Sequence, residues 1–261
     1  MLELKNISVH FGGIKALNNV SFKVEKESLF SIIGPNGAGK TSLLNVISGR
    51  YKPKNGDLLF KGKNITNLHP NTRPDLGIGR TFQNLALFDH MTVLENIYIG
   101  RHHLLRSNFF SGAIYWLSGA KNEEVNNRKE AEKILDFLEI SNIRKSTAGT
   151  LSYGLRKRVE LARAIAIQPE LILLDEPMAG MNQEEKEDMA RFIIDLNREW
   201  KITVVMIEHD MGVVMDISKR IAVLDFGEKE LKTKVLNIEK NLNTLGKKLL
   251  VKLKKVTTYR V

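Results

Sequence analysis

Leu29-Phe30-Ser31-Ile32-Ile33-Gly34-Pro35-Asn36-Gly37-Ala38-Gly39-Lys40-Thr41 is the stretch on which the fold turns. Its first five residues, apolar but for Ser31, read as a buried strand that runs into a glycine-rich turn. Leu43, Leu44, Val46 and Ile47 follow at helical spacing as far as Gly49, a helix stop. Gly34–Thr41 matches G-x-x-x-x-G-K-[ST] in full. Glycines there let successive backbone N–H groups turn inward around phosphate oxygens, and the helix behind adds its positive end. In such a loop Lys40 reaches the β- and γ-phosphates and the Thr41 hydroxyl meets Mg²⁺. A surface turn could carry the same letters, but a strand before it and a helix after it argue against that.

The second half of the site lies far downstream. Leu171-Ile172-Leu173-Leu174 is an uninterrupted apolar run closed by Asp175-Glu176, and Ile202–Ile207 is another run, apolar but for Thr203. Runs of this kind are central strands covered on both faces. A carboxylate at the end of such a strand sits at the edge of a parallel sheet where ligands bind. Asp175 would then hold Mg²⁺, directly or through water, and Glu176 would be a general base for the water that attacks a γ-phosphate. The pair alone could be a solvated strand end; the loop at Gly34–Thr41 gives it chemistry. Leu151-Ser152-Tyr153-Gly154-Leu155 opens a helix, with Ser152 a candidate cap and Gly154 a place for close backbone approach to an anion.

Between these halves the chain turns helical. Thr92-Val93-Leu94-Glu95 is a capping box, and Ala131, Ile134, Leu135 and Leu138 form an apolar stripe, as do Leu155, Val159, Ala162 and Ile165. Short β-rich segments stand around 57–60, 77–82 and 221–224. The expected architecture is α/β, with a mixed or parallel sheet core, an antiparallel β portion and a helical insertion over about 85–167.

Composition is ordinary for a globular chain: 261 residues, 43% hydrophobic, 27% charged, no cysteine. That excludes a disulfide framework and thiolate chemistry. The longest uncharged stretch, Ser107–Ala120, is partly polar and too short to span a bilayer, so a soluble chain that meets a membrane through a partner is expected. The formal charge of +10 invites a nucleic-acid reading, but residues 228–261 hold ten Lys/Arg against three Glu and the rest carries only +3. No nucleic-acid partner is expected, and Arg156-Lys157-Arg158 reads as a basic helix face near a triphosphate.

These motifs, in this order and at these spacings, resemble the ATP-binding subunits of ABC transporters, over about residues 1–227. Gly34–Thr41 is similar to their Walker A loop and Leu171–Asp175 to Walker B with its adjoining glutamate. Leu151–Leu155 resembles the signature motif, Gln83 in Thr81-Phe82-Gln83-Asn84 the Q-loop glutamine, and His209 in Ile207-Glu208-His209-Asp210 the switch histidine. The resemblance implies a P-loop NTPase of ABC ATPase type, with ATP and Mg²⁺ as cofactors. It also implies a head-to-tail dimer in which Ser152 and Gly154 face the nucleotide of the partner. Implied nucleotide contacts are Phe11, Gly34, Pro35, Asn36, Gly37, Ala38, Gly39, Lys40, Thr41 and Ser42, with Phe11 stacking on adenine or serving as a strand-end core residue. Implied metal ligands are Thr41, Gln83 and Asp175; implied catalytic residues are Glu176, His209 and Gln83. Implied partners are a second ATP-binding subunit (in a homo- or heterodimer), transmembrane permease subunits and a separate solute-binding protein, with the chain at the cytoplasmic face of the cell membrane.

Departures from the common pattern narrow the group. Tyr153-Gly154-Leu155 stands for the usual Gly-Gly-Gln, and Asn182 for the D-loop aspartate. Leu-Ser-Tyr-Gly, the 176–182 segment and Gly100-Arg101-His102-His103 resemble the ATPases of branched-chain amino acid importers and their urea and amide relatives. A soluble, non-transport ABC ATPase is the other alternative. His102-His103 lacks a third metal ligand at suitable spacing, and the aromatic group Phe109–Leu117 is expected in the helical subdomain or against the membrane subunit or lipid surface. Beyond Gly227 the resemblance stops. Leu231, Val235, Ile238, Leu242, Leu245 and Leu249 recur at helical spacing, so 228–261 reads as a basic amphipathic tail. It would be a helix packed on the domain or a partner, a lipid-surface anchor, or the product of a shifted frame.

Overall fold

The computed structural model describes residues 1–12, 14–83, 85–104, 120–226 and 231–237. The chain begins β1 (Leu2–Phe11), β2 (Ile14–Val24), β3 (Leu29–Ile33), α1 (Lys40–Ile47), β4 (Asn55–Phe60), β5 (Lys63–Asn64) and β6 (Ile78–Arg80). It continues through α2 (Val93–Arg101), α3 (Ala120–Phe137) and α4 (Tyr153–Ala166) to β7 (Leu171–Asp175) and α5 (Gln183–Arg198). Then come β8 (Thr203–Ile207), α6 (Met211–Ile217), β9 (Arg220–Phe226) and β10 (Leu231–Asn237).

Two sheets share the work. An antiparallel sheet has the order β2-β1-β4-β5, and a second has the order β10-β9-β3-β8-β7-β6. In the second, β9, β3, β8, β7 and β6 run parallel, and β10 closes the edge antiparallel to β9. The apolar runs seen in sequence are its centre: every residue of β3, β7 and β8 is buried. Alternate residues feed two different cores. Phe30, Ile32, Leu171, Leu173, Val205 and Ile207 face the antiparallel sheet and α1. Leu29, Ile33, Ile172, Leu174, Val204 and Met206 face the helices α2 to α5. A period of two over a two-sided sheet produces this division, and it explains why these runs contain no polar alternation.

Helix starts follow their sequence signals. Thr92 Oγ1 accepts the Glu95 N–H while Glu95 accepts the Thr92 N–H, a complete capping box on α2. Asn182 and Glu185 do the same for α5. On α5, Met189, Phe192, Ile193 and Leu196 are buried, each removing side-chain surface worth about 1.5–3 kcal/mol from water.

Gly39 shows how tightly the loop is set. Its φ is +90°, and a Cβ there would stand 2.3 Å from the carbonyl oxygen of Ala16 on β2. Gly39→Ala is expected to destabilise the chain by about 2–4 kcal/mol, because backbone strain and overlap with a backbone atom add. A denaturant melt that stays at the wild-type midpoint would contradict this.

The helical reading of the tail needs correction where the structure describes it. Residues 231–237 form β10, paired with β9 from Leu231↔Phe226 to Asn237↔Arg220. Leu231-Lys232-Thr233-Lys234-Val235 alternates as well as it repeats in fours, and the open edge of β9 offers backbone partners that a helix would leave unpaired. Residues 238–261 and the aromatic group Phe109–Leu117 lie outside the described residues. No helix among the described residues is long and apolar enough to cross a membrane.

Candidate functional site

The glycine-rich turn, the carboxyl end of β7 and the segment after β8 converge on one cavity of about 760 Å³. Asn36, Gly37, Gly39, Lys40, Thr41, Ser42, Gln83, Glu176 and His209 line it, together with Ile14, Lys15 and Ala16 of β2. Lys40 is 7% exposed, and its Nζ donates to the carbonyls of Gly34 at 2.9 Å and Pro35 at 3.0 Å. The loop thus holds its own cation by the two carbonyls that an incoming phosphate can replace. Burial lowers the pKa of Lys40, and the nearby charges of Glu176 and Asp175 oppose that. Ala38 is buried under the loop, its N–H on the Pro35 carbonyl.

Glu176 sits at the hub. His209 Nε2 is 2.6 Å from its Oε1, and Gln83 Nε2 donates to its Oε2 at 3.2 Å. Its backbone is left-handed, φ +51°, an uncommon conformation for a residue with a side chain, held by its N–H on the Ile207 carbonyl at 3.0 Å. Directly before it, Asp175 is 1% exposed. Arg80 Nη2 reaches Asp175 Oδ2 at 3.3 Å, while Oδ1 is buried with no hydrogen-bond partner. Burial pushes the Asp175 carboxyl up, against the Arg80 charge, and Glu176 adds to the rise. An orphaned buried carboxylate oxygen is costly and marks a place for a further ligand.

Not every residue expected in the site lines the cavity. Phe11 is 46% exposed at the end of β1, opposite Ile14, with its ring edge-on to Tyr51 at 5.0 Å. That exposure sets aside the core alternative. Ser152 caps α4 by accepting the Leu155 N–H, and Gly154 packs so closely on α5 that a Cβ would stand 2.1 Å from Glu185 Oε1. Neither belongs to the cavity's lining. No cluster of three or more potential metal-ligating side chains occurs among the described residues, His102 and His103 included. Arg156 and Arg158 pair with Asp89 and Asp188, and Lys157 with Glu160.

Sequence reading missed three groups that shape the site. Arg80 holds Asp175, Thr81 Oγ1 accepts the Asp175 N–H at 3.3 Å, and Glu208 accepts the N–H groups of Met178 at 2.9 Å and His209 at 3.2 Å. Their partners lie up to 95 residues away, so no local pattern points to them.

Comparison with known proteins gives the family. The family described as ABC transporter matches residues 17–179. The chain is 38% identical over 227 residues to the high-affinity branched-chain amino acid transport ATP-binding protein BraF of Pseudomonas aeruginosa, covering 87% of this chain and 89% of that one. It is 37% identical over 229 residues to LivG of Escherichia coli K12, with the same coverage. An ATP-binding cassette of an ABC transporter crystallised in its ADP conformation superposes with a TM-score of 0.78 at 34% identity, covering 96% of this chain and 98% of that one. A dimeric bacterial ABC transporter cassette superposes with a TM-score of 0.75 at 29% identity, covering 91% and 99%.

Fold and cavity together define a nucleotide-binding P-loop cassette. The chain belongs to the ABC transporter family.

Proposed function

We propose that this chain is the ATP-hydrolysing subunit of an importer for branched-chain amino acids, acting as a head-to-tail dimer on permease subunits at the cytoplasmic face of the membrane. The observation that carries hydrolysis is the Glu176 carboxylate, held between His209 and Gln83 on the wall of the cavity that contains Lys40. The names of the relatives BraF and LivG carry the solute class.

In this reading residues 1–227 are the cassette, 85–167 its helical subdomain. Lys40 leaves the Gly34 and Pro35 carbonyls for the β- and γ-phosphate oxygens, and the loop N–H groups and the α1 N-terminus take the remaining charge. Glu176 accepts a proton from the attacking water as its oxygen bonds to the γ-phosphorus and the bond to the ADP oxygen breaks. Gln83 and His209 orient that carboxylate and the water. The Thr41 hydroxyl, the Gln83 amide oxygen and the free Oδ1 of Asp175 are the oxygens that would hold Mg²⁺, which would supply charge to neutralise the phosphates. Phe11 offers its exposed face to adenine. The second cassette, a further copy of this chain or a different ATP-binding subunit, faces this chain's Ser152 and Gly154 with its γ-phosphate, which accounts for these residues standing apart from the cavity of their own chain. A separate solute-binding protein delivers the amino acid.

The chain reconstituted with the permease proteins that co-purify with it tests the solute. Leucine with its binding protein should raise ATP turnover several-fold over the unliganded transporter, and urea should not. Stimulation by urea alone would overturn the solute assignment.

A further inference from the structure

Helix α4 carries a buried ion pair that the nucleotide cavity does not include. Lys157 and Glu160 are each 2% exposed, one turn apart, with Nζ 3.7 Å from Oε2. Taking two ions out of water costs more than their attraction returns unless further groups complete them. Here backbone atoms of the segment after β6 complete them. Glu160 Oε1 accepts the Phe82 N–H at 3.0 Å, and Lys157 Nζ reaches the Gln83 carbonyl at 3.4 Å. Burial raises the pKa of Glu160, opposed by the Phe82 N–H and the Lys157 charge. From the same dipeptide, the Gln83 side chain reaches Glu176.

Thr81, one residue earlier, is tied to β7 by its N–H on the Leu173 carbonyl at 2.9 Å. Phe82-Gln83 is therefore the first stretch past the sheet, and the α4 ion pair grips it at its leading N–H and its trailing carbonyl. Both ends of the dipeptide are thus tied to α4, and the exposed Gln83 side chain is directed at Glu176.

We propose that Lys157 and Glu160 are positioning residues for ATP hydrolysis: they clamp the Phe82–Gln83 backbone and so tie the Gln83–Glu176 contact to the helix whose first turn presents Ser152 and Gly154. This rests on the roles given above to Gln83 and Glu176. A charged pair is suited to the task because one member must accept an N–H and the other must donate to a carbonyl. An apolar pair could fill the space but hold neither end.

The test is a double-mutant cycle on the purified full chain, reading kcat, the KM for ATP and the thermal midpoint. The paired variant Lys157→Met/Glu160→Leu removes the clamp and both charges together, a replacement that buried pairs commonly tolerate. It should lower kcat roughly tenfold with KM within about twofold and little change in midpoint, the pattern of lost positioning. In a Gln83→Ala background the same pair should cost nothing further, because the clamp acts through Gln83. An unchanged kcat, or losses that multiply with Gln83→Ala, would overturn the proposal. Should the paired variant not fold, Glu160→Gln and Glu160→Met decide. Gln keeps an oxygen for the Phe82 N–H and should stay within about threefold of wild type, whereas Met should fall by about ten; equal losses count against the clamp. Wild-type turnover in both Gln83→Ala and Glu176→Gln would instead defeat the underlying site reading.

Discussion

Glu176→Gln is expected to lower ATP turnover by a factor of about 10²–10⁴, the range over which a positioned general base contributes. Nucleotide affinity should change by no more than a few-fold. The substitution preserves size and one acceptor oxygen, so His209 and Gln83 keep a partner at the hub they share. What it removes is the capacity to take a proton. Backbone strain does not confuse the result, since Gln tolerates the left-handed φ of +51° about as well as Glu. Phosphate release measured in steady state and in a single turnover, beside nucleotide binding, checks it. Turnover at the wild-type rate would remove Glu176 from the base role.

Lys40→Ala should weaken ATP binding by about 10²–10³-fold, within the roughly 2–5 kcal/mol lost when one partner of a buried, hydrogen-bonded charge contact is truncated. Its ammonium is nearly enclosed and rests on two loop carbonyls, so it needs little reorganisation to meet phosphate oxygens. The carboxylates of Asp175 and Glu176 near it are negative, and without Lys40 they repel the triphosphate. Calorimetric titration with a non-hydrolysable ATP analogue measures the loss, and the thermal midpoint shows whether the fold is kept. Binding within threefold of wild type would mean that this cavity is not the nucleotide site.

Much of the fold can be read from local sequence because its signals are local. The step from Ile33 to Gly34 and on to Lys40 places strand, turn and helix within a dozen residues, and the Thr92–Glu95 box marks a helix start by itself. Asp175 and Glu176 are legible because a charge ends an apolar run. The arrangement around them is not. Arg80 and Thr81 meet Asp175 through parallel pairing of β6 with β7, and the Phe82 N–H meets Glu160 across 78 residues. Such contacts depend on strand order and register, which periodicity does not encode. Residues 231–237 failed for another reason: a spacing of four fits a helix, an alternation of two fits a strand, and both are present there. The open edge of β9 decided between them. The basic charge is concentrated after residue 227, where the resemblance in sequence stops.

The central claim of the proposal is that two cassettes close around ATP, a pairing that two copies of this chain make when no other subunit is present, each lending Ser152 to the other's phosphates. Light scattering of Glu176→Gln with ATP and Mg²⁺ tests it most directly. The account predicts a doubling of mass on adding ATP. It also predicts no doubling in Glu176→Gln/Ser152→Asp, where aspartate still caps α4 but sets a negative charge against the γ-phosphate. A Glu176→Gln chain that binds ATP and keeps the mass of a monomer, or a double variant that dimerises as readily, would contradict it.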